Sequence, residues 1–211
     1  MPTTLVLVRH GEANAGVGRV IGGPKGCTGL TPRGRRQAEQ LRDRLAAGGE
    51  FVPDVMFASV LPRAIETANI LRDAFDPVPI VTTDCEYCEL HPGEADGLPV
   101  DEYERRYGAI DDPDPERELS PGGESQRTFD ARVRRATKAL IDAHRDCTIM
   151  LVTHGGFVMG ATRFLLGAPP VVVGVFGHQP QNTSLNVFVE SDVSDDWFLE
   201  RYNDHRHLIG E

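Results

Sequence analysis

The fold class this sequence predicts is a three-layer α/β/α sandwich around a mostly parallel sheet of about six strands. Short apolar runs alternate along the chain with segments of helical period, which gives a βαβα order. The runs are free of alternating polar residues, as strands covered by helices on both faces must be. Placement adds a third observation. Leu5 to Val8 ends directly in Arg9-His10-Gly11-Glu12, and Thr148 to Thr153 ends directly in His154-Gly155-Gly156. Open parallel sheets gather their chemistry at the C-terminal ends of strands, so two strand-end histidines predict one shared site.

Leu5 to Arg9 reads as the first strand, and glycine-rich Gly11 to Gly29 reads as a loop. Thr31 before Pro32 is an N-cap followed by proline at the first helical position, predicting a helix from Pro32 to about Ala47 that Gly48 and Gly49 stop. Val55 to Ala58 is a short strand. Ser59 and Pro62 then open a helix through Ala64, Ile65, Ala68 and Leu71, with Ser59 expected to cap it and steady Arg63. Pro77 and Pro79 bracket the turn into a strand at Ile80 to Thr83.

From Cys85 to Glu124 the periodicity weakens and proline, glycine and acidic residues become frequent, with only Val100 to Tyr107 of helical character. This predicts a variable substrate or lid segment at 85–124 inside a single domain spanning 1–211. Ser125 to Ala143 is a long helix with Phe129, Val133, Ala136 and Leu140 on one face. The Thr148 to Thr153 strand follows, then a helix from Phe157 to Leu166 and strands at Val171 to Phe176, Leu185 to Val189 and Trp197 to Tyr202.

The formal net charge of −10 argues against nonspecific nucleic-acid binding, which needs a basic face to neutralise phosphates. No stretch approaches the roughly 18–20 apolar residues of a membrane-spanning helix, and Met1 is followed by no basic region and no long apolar segment. These features predict a soluble cytoplasmic protein with no membrane partner, and leave a homodimer open. Of the cysteines, Cys85 and Cys88 have the spacing of a redox pair or half a zinc site, with His91 and Cys27 as an irregular completion of a ligand set. Reduced, partly buried thiols are the plainer expectation.

Arg63 falls in the first turn of its helix, where free N–H groups and the positive dipole end favour an anion. Two arginines, two histidines and a helix N-terminus make a phosphate-sized pocket the economical reading. At this point the residues resemble a known family. Arg9-His10-Gly11-Glu12, Leu30-Thr31 to Gly34 with Gln37-Ala38, Ser59 to Arg63 with Glu66-Thr67-Ala68, Glu89 with Gly93, Pro121-Gly122-Gly123-Glu124-Ser125 and His154-Gly155-Gly156 stand in the order found in the histidine phosphatase superfamily, also called the phosphoglycerate mutase-like family.

That resemblance implies a phosphoglycerate mutase-like fold and a metal-independent phosphatase acting on a small phosphorylated metabolite, with no cofactor. His10 would attack the phosphoryl group through a neutral ring nitrogen and form a phosphohistidine. Arg9 and Arg63 would hold its oxygens, with His154 donating a further hydrogen bond and Gly155 beside it at the phosphate. Glu89 is the expected general acid and then general base. Asn14 and His91 are weaker substrate-binding candidates, each weighed against an ordinary loop or surface role. The family usually places its asparagine two positions later, where this chain has Gly16. Arg19 and Lys25 read first as solvated loop charges, and Tyr87, Tyr103 and Tyr107 as packing residues rather than base or sugar platforms.

Three function classes stay in view. A phosphomonoester hydrolase leads. A phosphoglycerate mutase must keep water from its phosphoenzyme, and only about thirty residues separate Glu89 from Pro121, fewer than the family's mutases use to close their site. A noncatalytic phosphate-binding module on the same fold would be expected to have lost His10, Arg63 or His154, and all three are present.

Overall fold

In the computed structural model, the residues described are 2–110, 114–169, 180–194 and 196–208. The strands are β1 (Thr4–Arg9), β2 (Val55–Ser59), β3 (Val81–Asp84), β4 (Thr148–Thr153), β5 (Leu185–Glu190) and β6 (Trp197–Asp204). They form one sheet in the order β3-β2-β4-β1-β5-β6. The β1–β4, β2–β4 and β2–β3 pairs are parallel, whereas β5 and β6 join antiparallel at one edge. The expected strand at Val171 to Phe176 lies outside the described residues.

The alternation of side chains along the central strands separates two cores. Leu5 and Leu7 of β1, with Ile149 and Leu151 of β4, face one cluster containing Phe129, Val133, Ala136 and Leu140 of α5 (Gln126–Ala143) and Phe157, Val158 and Ala161 of α6 (Gly155–Leu165). Val6 and Val8, with Met150 and Val152, face the other, built on Leu41 and Leu45 of α2 (Pro32–Gly48) and Ala64, Ala68 and Leu71 of α3 (Pro62–Arg72). The sandwich therefore has the predicted three layers, and its strands read as continuous apolar runs because both faces are covered.

Local chemistry fixes the helix starts. Thr31 caps α2, its hydroxyl accepting from Gly34 N at 2.9 Å, and Ser125 caps α5 in a reciprocal arrangement with Thr128. The expectation for α3 needs correction. Its N-cap is Leu61, whose backbone N–H donates to the Ser59 hydroxyl at 3.2 Å, and Pro62 occupies the first helical position. Ser59 sits two residues before that cap, at the end of β2, and its hydroxyl also meets His154. The loop after β1 is also less irregular than expected, since α1 (Asn14–Val17) forms a single turn within it. The helix predicted to start at Phe157 begins two residues earlier.

The segment at 85–124 carries α4 (Val100–Tyr107) and two short 3-10 turns at Cys85–Tyr87 and Gly93–Ala95. It packs on the loop after α1 rather than standing alone. Ile21 N donates to Leu98 O at 2.8 Å, Gly97 N to Ile21 O at 2.9 Å and Val100 N to Arg19 O at 2.8 Å. Tyr103 is buried with Ile21 and Ala95 beneath these contacts, and Tyr87 packs edge-on against Phe57 and Phe157, so both rings are core.

Candidate active site

Because β1 and β4 are parallel neighbours with Arg9 opposite Thr153, the residues that follow them emerge side by side. The His10 and His154 rings lie 5.1 Å apart, centroid to centroid, and both are buried. The first turn of α3 brings Arg63 between them. Its Nε donates to His10 Nε2 at 3.1 Å and to His154 Nδ1 at 3.2 Å, while Nη1 donates to Gly22 O at 2.7 Å.

These bonds fix both tautomers. Arg63 can only donate, so His10 Nε2 and His154 Nδ1 are acceptors. The proton of His10 sits on Nδ1 and is donated to Gly11 O at 2.6 Å. The proton of His154 sits on Nε2 and is donated to the Ser59 hydroxyl at 2.8 Å. Both imidazoles are held neutral, their pKa values well below the ordinary 6.5. For His10, burial is the main cause, followed by the charges of Arg63 and Arg9; for His154, burial again leads, then Arg63 and His10.

Arg9 leaves β1 with its Nη1 donating to Pro180 O at 2.5 Å. Its Nε is buried without a hydrogen-bond partner among the described residues, so a donor stands ready for an anion. Burial, with Arg63 nearby, lowers the Arg9 pKa, and the Glu89 carboxylate opposes that shift. Glu89 follows the 3-10 turn after β3. Its Oε2 accepts from Gly156 N at 2.9 Å and its Oε1 from Leu90 N at 3.2 Å, which sets the carboxylate against the N-terminal turn of α6. A side chain at Gly156 would place its Cβ 2.2 Å from Glu89 Oε1, so the close approach requires glycine.

Arg9, His10, Arg63 and Glu89 line one open cleft of about 870 Å³. Its outer wall is largely apolar, with Val17, Val20, Ile21, Leu90, Val100 and Leu119, and its acidic members include Glu12 and Glu104. Arg19 also reaches the rim, where it pairs with Asp101 at 3.3 Å. His154 and Gly155 lie behind this wall, with Gly155 packed under the Arg9 guanidinium. Asn14 and His91 are not among the lining residues. Asn14 Nδ2 donates to Leu30 O at 3.2 Å and so ties its own loop. His91 turns to Cys85 and Glu124 instead. Neither side chain joins the cluster as expected.

Several supporting residues had no role assigned from the sequence. Asn182 lines the cleft and its Nδ2 donates to His10 O at 2.9 Å, but it lies in a loop without periodicity to mark it. Thr67 accepts from Gly11 N at 3.1 Å and donates to Arg63 O at 2.7 Å, joining the two catalytic candidates through α3. Arg132 donates to the carbonyls of Glu86, Cys88 and Glu89 at 2.8, 3.0 and 3.1 Å, and pairs with Glu124 at 2.6 Å. It did carry a signal, because a charged residue three positions after Phe129 stands on the apolar face of α5.

The chain is also similar to known proteins. The family described as "Histidine phosphatase superfamily (branch 1)" matches residues 5–205. The 5''-phosphoribostamycin phosphatase of Niallia circulans is 27% identical over 97% of this chain and 97% of its own. A 2,3-bisphosphoglycerate-dependent phosphoglycerate mutase of Nocardia farcinica is 34% identical, over 63% of this chain and 56% of its own. Among solved structures, the mycobacterial glucosyl-3-phosphoglycerate phosphatase complexed with VO3 superposes with a TM-score of 0.77 at 26% identity, covering 95% of this chain and 98% of that one.

Proposed function

As this chain belongs to the histidine phosphatase superfamily, branch 1, we propose that it is a metal-independent phosphomonoester hydrolase working through a phosphohistidine at His10 on a small phosphorylated metabolite. The observation that carries this reading is the hydrogen bond from His10 Nδ1 to Gly11 O, which leaves the Nε2 lone pair free to attack once Arg63 turns its Nε to a phosphate oxygen.

The first step forms a bond from Nε2 to phosphorus and breaks the ester bond, with Glu89 giving its proton to the departing oxygen. In the second, water attacks the phosphohistidine and Glu89 takes the water's proton. Arg63 and the Nε of Arg9, which has no partner among the described residues, receive the charge on the equatorial oxygens. His154 contributes differently from the plain expectation. Its neutral Nδ1 is an acceptor, so donation to phosphate requires it to take up a proton, which a bound dianion beside it favours. Asn182, through the His10 carbonyl, and Thr67, through Gly11, position the nucleophile.

Three observations support a hydrolase over a mutase. The cleft is open, whereas a mutase must exclude water from its phosphoenzyme. Its outer wall offers apolar side chains and carboxylates where a bisphosphorylated cofactor would need cations. Both relatives called phosphatases align along nearly their whole length, and the mutase aligns over little more than half of its own. The same wall fits a monophosphate whose leaving group is uncharged and partly apolar, and the segment at 85–124 supplies much of it, within one domain.

The test is a screen of phosphorylated metabolites without added metal, including 3-phosphoglycerate, nucleotides and sugar phosphates, with His10→Ala as the blank. Net phosphate release, lost in the variant, is expected. Isomerised product without release would point to a mutase, and tight phosphate binding without turnover to a noncatalytic module.

A further inference from the structure

Two cysteines and a histidine left unused by the proposed reaction come together on the segment that carries Glu89. Cys85 Sγ lies 3.5 Å from His91 Nε2, and with Cys88 Sγ the three ligand atoms all fall within 4.8 Å of one another. A tetrahedral zinc ion with Zn–S of about 2.3 Å and Zn–N of about 2.0–2.1 Å separates a sulfur and a nitrogen ligand by roughly 3.6 Å, so that edge is already set. We propose that Cys85, Cys88 and His91 bind one thiophilic divalent cation of the zinc type, with solvent completing the coordination.

The backbone is arranged for this before any ion arrives. Cys88 N donates to Cys85 O at 3.0 Å, closing the turn that brings the two thiols together. Arg132 holds the carbonyls of Glu86, Cys88 and Glu89. Glu124 Oε2 accepts from His91 N at 2.9 Å and stands 3.7 Å from Nδ1, placing a carboxylate on the ring nitrogen opposite the ligand atom, as metal-binding histidines commonly have. Cys85 is exposed and His91 half-exposed, which gives the ion a path in, while Cys88 is buried behind them. Binding releases two thiol protons, and the two thiolates balance the ion's charge.

The site is not isolated from the phosphate pocket. Cys88 Sγ is 3.2 Å from the Ser59 hydroxyl, which accepts from His154 Nε2 at 2.8 Å. With Cys88 as a metal thiolate, Ser59 donates to sulfur and still accepts from His154, so one hydroxyl links the ion to the proposed reaction centre.

Cobalt(II) titration of the reduced full chain tests the proposal without relying on turnover. One equivalent is expected to produce a thiolate-to-cobalt charge-transfer band with tetrahedral ligand-field intensity, displaced by zinc. Cys85→Ser and His91→Ala, both at accessible positions, should each weaken binding about 100-fold or more, and Cys147→Ser should not change it. Absence of the band, a band that survives both variants, or closure of Cys85 and Cys88 to a disulfide in excess zinc would overturn the proposal.

Discussion

At the scale of single residues, the site turns on one guanidinium nitrogen. Arg63 Nε is shared by His10 and His154, and its charge with that of Arg9 reinforces the effect of burial in holding both rings neutral. A nucleophilic histidine must be unprotonated, so the acid limb of kcat/KM assigned to His10 should fall well below pH 6.5. A limb near 6.5 would show that this environment does not act on His10, the proposed nucleophile. Gly156 holds the proposed general acid in place. Gly156→Ala would drive Glu89 from its place against α6 and lower kcat by about 10²-fold or more while phosphate affinity holds, as expected when a general acid is misplaced. Equal losses in kcat and in phosphate affinity would mean that Glu89 does not act in the way described.

At the scale of elements, what the sequence shows is what repeats or caps. The β1 and β4 runs, the Thr31 cap and the amphipathic face of α5 are legible because burial on a sheet and helix geometry impose a period or a terminal signature. Links that cross between elements leave no such trace. Ser59 reads as a helix cap because Pro62 follows it closely, yet the parallel pairing of β2 with β4 turns its hydroxyl to His154. Asn14 and His91 lie near the motifs in sequence, but their hydrogen bonds take them to Leu30 and to the Cys85 and Glu124 neighbourhood.

One such cross-link also contributes to the acid response of the fold. Glu50, just beyond α2, accepts from Arg44 Nε at 2.8 Å and Arg206 Nη2 at 3.0 Å, and pairs with Arg201 of β6. The Arg44 hydrogen bonds hold its pKa down at about 2, against 4.5 for a free carboxyl. Since the native state binds the proton less readily than the unfolded chain, this stabilisation is complete above pH 4.5 and is lost as pH falls toward 2. Glu50→Gln should therefore cost on the order of 2–3 kcal/mol near pH 7, with the difference from wild type shrinking through that window. Thermal unfolding of both proteins at several pH values checks this, and a difference independent of pH would contradict it.

On the scale of the whole molecule, the parallel central strands set His10 beside His154 at the C-terminal end of the sheet, with the start of α3 bringing Arg63 between them, and the 85–124 segment brings Glu89 to the same end. Arg9, His10, Arg63 and His154 converge as their strand-end positions implied, because parallel strands deliver their C-terminal residues to the same side, and Glu89 reaches them from the loop beyond β3. The proposed reaction requires His10 to carry the phosphoryl group during turnover. Rapid quenching with substrate, followed by mass analysis of the peptide containing His10, tests it most directly. An acid-labile phosphoryl adduct is expected on that peptide, absent from His10→Ala and, with an aryl phosphate whose leaving group departs without a proton, accumulating when Glu89→Gln slows its hydrolysis. Turnover at the wild-type rate in His10→Ala, or an adduct on another residue, would contradict it.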